Sequence, residues 1–293
     1  MNLQKVGLIG FPLGHTISPY IHQKLFEWSL CPHDYRVMDI ENLNQAFPSL
    51  REMNGFNVTI PYKSRIIPFL DSLSEQAKAC GSVNTVLCKN GKMSGFTTDG
   101  IGCLRSLRDA GMAKKGRILL LGNGGAARAM AFALIDRAQC LCIACRETAR
   151  DQALRLKADL EDYTKYNTKQ LSVKVKAYEA LCARGEEYDL LLNATSVGMY
   201  PHIHQSPVNV AVLRHCGAVF DAVYNPAMTV LLRQAKELNI PAVGGIGMLV
   251  HQAAAAHEIW YGAKFTADQI RTLCQGAALY LKTKKQPEAE QKT

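Results

Sequence analysis

Three polar segments before Gly100 carry more hydroxyls, amides and charges than a buried core needs. They are Gly14-His15-Thr16-Ile17-Ser18-Pro19, Asn57-Val58-Thr59-Ile60-Pro61-Tyr62-Lys63, and a third that runs from Ser82-Val83-Asn84-Thr85 to Thr98-Asp99-Gly100. An amine, a carboxylate and several hydroxyls together suit the recognition of a polyhydroxylated carboxylic acid. Taken singly, each segment is equally well explained as a local turn, a solvent-facing lysine or a helix cap.

A glycine-rich turn, Gly122-Asn123-Gly124-Gly125-Ala126-Ala127-Arg128, follows an apolar strand that ends at Leu121 and opens a helix. Glycines allow a tight turn and the close approach of a pyrophosphate, and the free N–H groups at the helix N-terminus bind its charge. The spacing is Gly-x-Gly-Gly-Ala rather than Gly-x-Gly-x-x-Gly, so a strand–helix turn without a ligand is the alternative. The context favours a dinucleotide.

The end of the next strand bears on which dinucleotide binds. A fold that selects NAD usually places Asp or Glu there, where the carboxylate binds the ribose hydroxyls. Here the strand ends at Ala144-Cys145-Arg146, and Arg150 follows. Two guanidinium groups favour a 2′-phosphate and hence NADP. Glu147 leaves NAD as an alternative cofactor, because its carboxylate could bind a ribose or repel that phosphate. In a further alternative, both arginines are only surface residues at the start of a helix.

Alternating strands and helices must position these segments. Strands are predicted at 6–10, 35–40, 56–60, 117–121, 140–144, 173–175, 190–193 and 218–221, with a hairpin turn at Asn90-Gly91. Helices are predicted from Ser18, which would be the cap with Pro19 in the first position, and at 99–110, 126–137, 148–161, 228–238, 248–260 and 266–282. Asp99 is predicted to cap the second of these. The alternation predicts an α/β protein of two α/β domains with a boundary near Gly100.

Length and composition agree with this architecture. At roughly 150 residues per domain, 293 residues correspond to about two domains. Hydrophobic residues make up 48% and charged residues 20%, and the mean hydropathy is −0.06, as in globular proteins. No apolar run approaches the ~20 residues of a membrane span, and the apolar run near the N-terminus is too short for a signal peptide. We expect a soluble, cytoplasmic protein.

Charge and cysteine content leave the function open. Thirty-four basic and 25 acidic residues give a net charge of +9, which fits a nucleic acid or an anionic small molecule. The sequence lacks the alternating aromatic and basic residues of single-strand binders. Of the ten cysteines, Cys140, Cys142 and Cys145 come closest to metal-ligand spacing. Strand alternation puts the first two on one face and the third on the other, which predicts reduced core thiols.

Taken together, these motifs resemble the shikimate dehydrogenase family. The family's segments occur in order over nearly the whole chain. In addition to those above, they are Asn193-Ala194-Thr195-Ser196-Val197-Gly198-Met199, Tyr224-Asn225-Pro226 and Gly247-Met248-Leu249-Val250-His251-Gln252.

The resemblance implies NADP-linked reversible reduction of 3-dehydroshikimate to shikimate, a step of aromatic amino acid biosynthesis, with no metal. It implies that Lys63 and Asp99 form the catalytic pair. The implied substrate contacts are Thr16, Ser18, Thr59, Asn84, Tyr224 and Gln252. The implied cofactor contacts are Gly122, Asn123, Gly124, Gly125, Ala126, Cys145, Arg146, Glu147 and Arg150, with lesser ones at Glu75, Ala222 and Gly245.

The resemblance also implies a domain organisation and a set of partners. The last two helices, which the residues alone leave free to pack on either domain, are implied to join the substrate domain. That domain then comprises 1–100 and 245–283, a Rossmann-like NADP-binding domain spans 101–244 with a cleft between the two, and 284–293 form a solvated tail. The expected partner is a small-molecule substrate, with no nucleic acid and no membrane. The oligomeric state stays open, with a homodimer as one arrangement.

Four positions depart from the family pattern. Thr16 replaces the first Ser of Ser-x-Ser, Thr97 replaces the Asn before Thr-Asp-Gly, and Gly244 replaces the Asp of Asp-Gly-x-Gly-Met-Leu. The phosphate-reading loop begins Cys145-Arg146-Glu147 instead of Asn-Arg-Thr. The first two leave the preferred acid open, and the last leaves the cofactor open.

Two alternatives therefore remain at this stage. One is a quinate dehydrogenase, or a broad quinate/shikimate dehydrogenase, that uses NAD or NADP on the same scaffold. The other is a non-catalytic NADPH sensor, against which the presence of both Lys63 and Asp99 argues.

Overall fold

The computed structural model describes residues 3–14, 16–181 and 186–283. The predicted solvated tail, 284–293, lies outside the described residues. The strands form two six-stranded sheets, separated in the chain by a single helix, α4 (Asp99–Asp109). The predicted α/β class is confirmed.

The first sheet is mixed and has the order β2-β1-β3-β5-β6-β4. β1 is parallel to both its neighbours, whereas β5 is antiparallel to both of its own. The strands are β1 (Gln4–Gly10), β2 (His33–Asp39), β3 (Gly55–Val58), β4 (Ser72–Leu73), β5 (Thr85–Lys89) and β6 (Lys92–Phe96). The helices of this region are α1 (Ser18–Ser29), α2 (Leu43–Leu50) and α3 (Glu75–Cys80).

The second sheet is wholly parallel and has the order β12-β11-β10-β7-β8-β9. This is the strand order of a Rossmann fold, in which ligands bind beyond the carboxyl ends of the two central strands. The strands are β7 (Gly116–Leu121), β8 (Ala138–Cys145), β9 (Ser172–Ala177), β10 (Leu190–Asn193), β11 (Val219–Asp221) and β12 (Ala242–Gly244). The helices are α5 (Gly125–Ala133), α6 (Arg150–Tyr166), α7 (Val210–Leu213) and α8 (Val230–Glu237).

The central strand β7 is buried on both faces. Ile118 and Leu120 belong to one core, while Leu119 and Leu121 belong to the other. A continuous apolar run is what a parallel strand covered by helices on both sides requires. β8 repeats the pattern, with Cys142 in the second core and Cys145 in the first, as predicted. Each of the nine cysteines among the described residues is free.

Helix α4 packs between α5 and the long helix α9 (Ile246–Tyr261) through two glycines. A Cβ on Gly100 would lie 2.5 Å from the carbonyl oxygen of Ala129 on α5. A Cβ on Gly102 would lie 2.6 Å from the carbonyl oxygen of Met248 on α9. Only glycine permits this close approach, which holds the first residue of α4 at the junction of the two sheets.

Helices α9 and α10 (Ala267–Thr283) pack on α1. One core cluster joins Ile21 and Leu25 of α1 to Val250 of α9 and Leu273 of α10. In the described part of the chain, no helix combines the length and apolar character needed to cross a membrane.

A buried histidine pair joins α1 to α9 beside that core. His22 Nδ1 and His257 Nε2 lie 3.1 Å apart, and both rings are essentially inaccessible. Burial lowers the pKa of His22 to about 3 and also lowers the pKa of His257. Both rings are therefore neutral near pH 7, and one donates a hydrogen bond to the other.

Candidate active site

Lys63 and Asp99 form an ion pair at the junction between the sheets. Lys63 follows β3 in a turn anchored by the hydroxyl of Tyr62, which donates to the carbonyl oxygen of Ile40 at 2.5 Å. Lys63 Nζ donates to Asp99 Oδ2 at 2.5 Å, and the two side chains are 18% and 8% exposed. A charge-assisted bond so poorly solvated fixes the position of the ammonium.

The predicted cap at Asp99 is wrong. Asp99 is the first residue of α4 and Thr98 is the N-cap, with no capping bond from the Thr98 side chain. The Asp99 carboxylate instead accepts from Lys63 through Oδ2 and from Asn84 Nδ2 through Oδ1, the latter at 2.8 Å. Both oxygens accept from donors, which is the arrangement an ionised carboxylate requires.

Asn84 connects Asp99 to the other predicted substrate residues. Its Oδ1 accepts from the backbone N–H of Thr98 at 2.6 Å, and its Nδ2 lies 2.9 Å from Thr98 Oγ1 and 3.4 Å from Gln252 Oε1. Asn84, Thr98 and Gln252 are buried. The sequence singled out Thr98 only as part of a motif, although its hydroxyl belongs to this network. Lys63, Asp99, Asn84 and Gln252 thus form one hydrogen-bonded group.

A second group lies at the start of α1. Thr16 Oγ1 donates to Ser18 Oγ at 3.0 Å and accepts from the Ser18 N–H at 3.2 Å. The predicted cap at Ser18 is wrong by one residue, because Ile17 is the N-cap and no described side chain caps the helix. Tyr224 reaches Thr16 through its hydroxyl, and burial raises its pKa, so the phenol is neutral. Thr59 follows β3, half-buried.

The glycine-rich turn has the local geometry that phosphate binding requires. Gly122 has φ +101°, a conformation that favours glycine, and Gly124 is the N-cap of α5. A Cβ on Gly124 would meet nothing within 4 Å, and no described side chain caps the helix. The N–H groups of the first turn, around Gly125 and Ala126, are therefore open to an anionic group. The residues fit a dinucleotide pyrophosphate.

The segment after β8 lies beside this turn. Asn123 Nδ2 donates to the carbonyl oxygen of Ala149 at 2.8 Å, which ties the two together. Arg146, Glu147 and Arg150 are exposed, whereas the Cys145 side chain is buried. The Cys145 thiol therefore packs in the core, and only its backbone is available to a ligand.

Glu147 and Arg150 form an ion pair of 3.5 Å across one turn. The guanidinium partly offsets the negative charge that would oppose a 2′-phosphate, although such an exposed pair contributes only ~0–1 kcal/mol. A phosphate would compete with Glu147 for Arg150, while Arg146 stays available.

The remaining predicted cofactor residues lie in two places. The N–H of Gly245, just after β12, donates to the carbonyl oxygen of Val223 at 3.1 Å, and a Cβ on Gly245 would collide with the carbonyl oxygen of Ala222. The chain segments that follow β11 and β12 therefore pack together. Glu75 is exposed at the start of α3.

The glycine-rich turn lies directly against the ion pair's lysine. A Cβ on Gly125 would stand 3.0 Å from Ser82 Oγ and 3.4 Å from Lys63 Cδ. The phosphate-binding edge of the second sheet therefore meets the Lys63–Asp99 pair of the first. Among the described residues, no cluster of three or more His, Cys, Asp or Glu side chains could hold a metal ion.

Comparisons with known proteins show the family to which this chain belongs. Residues 8–86 match the family model of the shikimate dehydrogenase substrate binding domain. A shikimate dehydrogenase (NADP(+)) of Methanococcus maripaludis is 36% identical over 88% of this chain and 92% of its own length.

Solved structures extend the similarity to the fold. The Thermus thermophilus shikimate 5-dehydrogenase in complex with NADP(H) and shikimate is 30% identical, with a TM-score of 0.81 over 94% of this chain and 99% of its own. The Listeria monocytogenes shikimate 5-dehydrogenase, in complex with shikimate and NAD, is 28% identical, with a TM-score of 0.81 over 92% and 96%. This chain belongs to the shikimate dehydrogenase family.

Proposed function

We propose that this protein catalyses the reversible, NADPH-dependent reduction of 3-dehydroshikimate to shikimate. The observation that carries the proposal is the Lys63–Asp99 pair, 2.5 Å apart, lying against the phosphate-binding turn at Gly125. A proton donor and a dinucleotide site in contact are what ketone reduction needs. Relatives that carry the name shikimate dehydrogenase (NADP(+)) support the same substrate and cofactor.

In this reaction the bound dinucleotide supplies the hydride. The Lys63 ammonium stabilises the negative charge that develops on the ketone oxygen and donates the proton that completes the alcohol. Asp99 orients the ammonium and Asn84 orients Asp99. In the reverse direction the neutral Lys63 amine accepts the hydroxyl proton. The proposed chemistry assigns no role to a metal, because the ammonium carries the electrophilic role.

The proposed substrate contacts surround this pair. The hydroxyls of Thr16 and Ser18 bind the carboxylate, with the N-terminus of α1 behind them. The ring hydroxyls bind the other four predicted residues: Thr59, Asn84, Tyr224 and Gln252. The Tyr224 phenol, held neutral by burial, is a donor.

The proposed cofactor contacts lie on the second sheet. The turn from Gly122 to Ala126 binds the pyrophosphate at the N-terminus of α5, and Arg146 and Arg150 bind the 2′-phosphate. Cys145 contributes its backbone, Glu147 balances charge, and Glu75, Ala222 and Gly245 are peripheral.

We further propose that 1–100 with 245–283 form the substrate domain and that 101–244 form the NADP domain. The two separate sheets and the packing of α9 and α10 on α1 support this division. A cytoplasmic location is proposed from the free thiols, which suit a reducing compartment. A homodimer is proposed as the assembly, and light scattering of the purified chain tests it.

The decisive experiment measures the kinetics of all four combinations of shikimate or quinate with NADP or NAD. The absorbance of the reduced nicotinamide reports the rate. The proposal predicts the highest kcat/KM for shikimate with NADP. A preference for quinate or for NAD would favour the broad quinate/shikimate dehydrogenase. Tight NADPH binding without turnover of either acid would favour the sensor.

A further inference from the structure

Arg128 is the last residue of the glycine-rich motif and has no part in the chemistry described so far. It lies in the first turn of α5, which follows β7 of the second sheet. Its side chain reaches the end of α3, which follows β4 of the first sheet. Arg128 Nε donates to the carbonyl oxygen of Cys80 at 2.5 Å, and Nη2 pairs with Asp159 of α6 at 2.5 Å.

The carbonyl that Arg128 binds belongs to the last residue of α3. Carbonyl groups at a helix C-terminus lack partners within the helix and carry partial negative charge, so a guanidinium there forms a charge-assisted bond. The Arg128 side chain is only 17% exposed, which protects that bond from water. Gly81, with φ +59°, turns the chain immediately afterwards, and a Cβ there would lie 3.6 Å from Arg128 Nη2.

The segment that follows this turn leads directly into the catalytic group. The N–H of Val83 donates to the carbonyl oxygen of Lys63 at 2.7 Å, and the Asn84 side chain holds Asp99. Ser82 Oγ lies 3.0 Å from the Cβ position of Gly125. The segment 81–84 is therefore enclosed between the phosphate-binding turn and the Lys63–Asp99 pair.

We infer that Arg128 is a positioning residue, which sets the spacing between the cofactor-binding turn and the proton donor by holding the end of α3 against α5. Arg128 is three positions after Gly125, and Asn84 is four positions after Cys80. One side chain thus connects the element that binds phosphate to the element that orients Asp99. Asp159 pairs with Nη2 and so holds the guanidinium of Arg128 toward Cys80.

This inference rests on the proposed dehydrogenase activity, since it assigns Arg128 a role in aligning the hydride donor with the ketone. Displacement by about 1 Å from a good reacting geometry can cost about 100-fold in rate. Binding of each ligand alone should survive, because neither the N–H groups of α5 nor the hydroxyls of α1 involve the guanidinium.

The test compares Arg128→Met with wild type and with Arg105→Met. Arg105 pairs with Glu258 at 2.6 Å and links α4 to α9, so it is a matched ion pair that does not reach the cofactor turn. For Arg128→Met we expect kcat to fall about 10- to 100-fold. The separate Kd values for NADPH and for shikimate, from fluorescence titration, should stay within error of wild type. Arg105→Met should keep wild-type kcat.

Two further measurements make the result decisive. Low concentrations of guanidinium ion should restore part of the kcat of Arg128→Met but should not affect the kcat of Arg105→Met. The reason is that only the Arg128 guanidinium is inferred to hold α3 and α5 in position at the site. If Arg128→Met does not fold, Arg128→Lys, which keeps one donor, replaces it and should show a smaller loss of kcat.

Unchanged kcat in the folded Arg128 variant would overturn the inference. A loss of NADPH affinity equal to the loss of kcat would also overturn it, by making Arg128 a direct cofactor contact. A wild-type enzyme without turnover would instead refute the proposed function, so the two failures are distinguishable.

Discussion

Replacement of Lys63 by methionine tests the central feature of the site. Lys63→Met removes the ammonium but keeps a stem of similar length, so packing in the turn after β3 is preserved. Loss of a positioned proton donor should lower kcat by ~10²–10⁴-fold. At about 1.36 kcal/mol per factor of ten, this is about 3–5 kcal/mol of transition-state stabilisation.

The same change has a calculable effect on stability. Asp99, 8% exposed, loses its bond from Lys63 Nζ and keeps only the one from Asn84 Nδ2. A hydrogen bond to a charged group is worth about 1.5–3 kcal/mol, so the free energy of unfolding should fall by that amount. Because native domains are stable by about 5–15 kcal/mol, we expect the variant to stay folded, so that the loss of kcat reports chemistry.

The assay follows consumption of NADPH with 3-dehydroshikimate, together with calorimetric unfolding. Lys24→Met is the matched control, because Lys24 pairs with Glu27 at 2.7 Å on the exposed face of α1 and should leave kcat unchanged. Lys63→Met combined with Asp99→Asn should be no slower than Lys63→Met alone, since the two groups act as a unit. Near-wild-type turnover in folded Lys63→Met protein would refute the mechanism.

Three other predictions concern the arginines after β8, the start of α1 and the buried histidine pair. Changing Arg146 and Arg150 together to Ala should weaken the binding of NADP far more than the binding of NAD, by about 1.5–3 kcal/mol per lost charge-assisted hydrogen bond. The Kd of each cofactor measures this. Equal weakening of both would mean that the arginines are structural, and Glu147 would be the next residue to change. Ser18→Ala should chiefly raise the KM for shikimate. Its Tm should hardly change because the preceding residue is the N-cap, and wild-type shikimate affinity would end the carboxylate assignment. Because folding lowers the pKa of His22 from 6.5 to about 3, the unfolded state binds the proton first as pH falls, so stability is lost below pH 6.5. At ~1.36 kcal/mol per pH unit, His22 alone should cost about 2 kcal/mol by about pH 5, and His22→Gln should unfold with a shallower pH dependence; an unchanged slope would contradict this.

Local signals were enough to predict the elements that carry the site. The run that ends at Leu121 and the glycines after it predict a strand, a turn and a helix, because burial on both faces and a left-handed turn depend on neighbouring residues. The predicted helix 126–137 was too long at its C-terminus, since α5 ends at Ala133. A turn follows there and lets β8 begin at Ala138, paired with Gly116.

The two wrong caps show where local reasoning fails. Ser18 and Asp99 are good capping residues by type, but both polar groups are used elsewhere. The Ser18 hydroxyl bonds to Thr16, and the Asp99 carboxylate bonds to Lys63 and Asn84, 36 and 15 residues away. At Asp99 the stronger partners are distant in the chain, whereas at Ser18 the partner is only two residues away; in both cases another hydrogen bond replaces the expected cap.

The sequence by itself determined the family, the residue types of the site and most of the strands and helices, because motifs and periodicities are written in neighbouring positions. It did not predict the short elements α2, α3, α7, β4 and β12. Only the tertiary structure decided that Gly125 lies against Lys63, that Asn84 holds Asp99, and that Arg128 reaches the end of α3. These contacts join the ends of elements from two different sheets. Their spacing in the chain follows no period, and their geometry is set by the close approach of α4 to α5 at Gly100 and to α9 at Gly102 rather than by any local propensity.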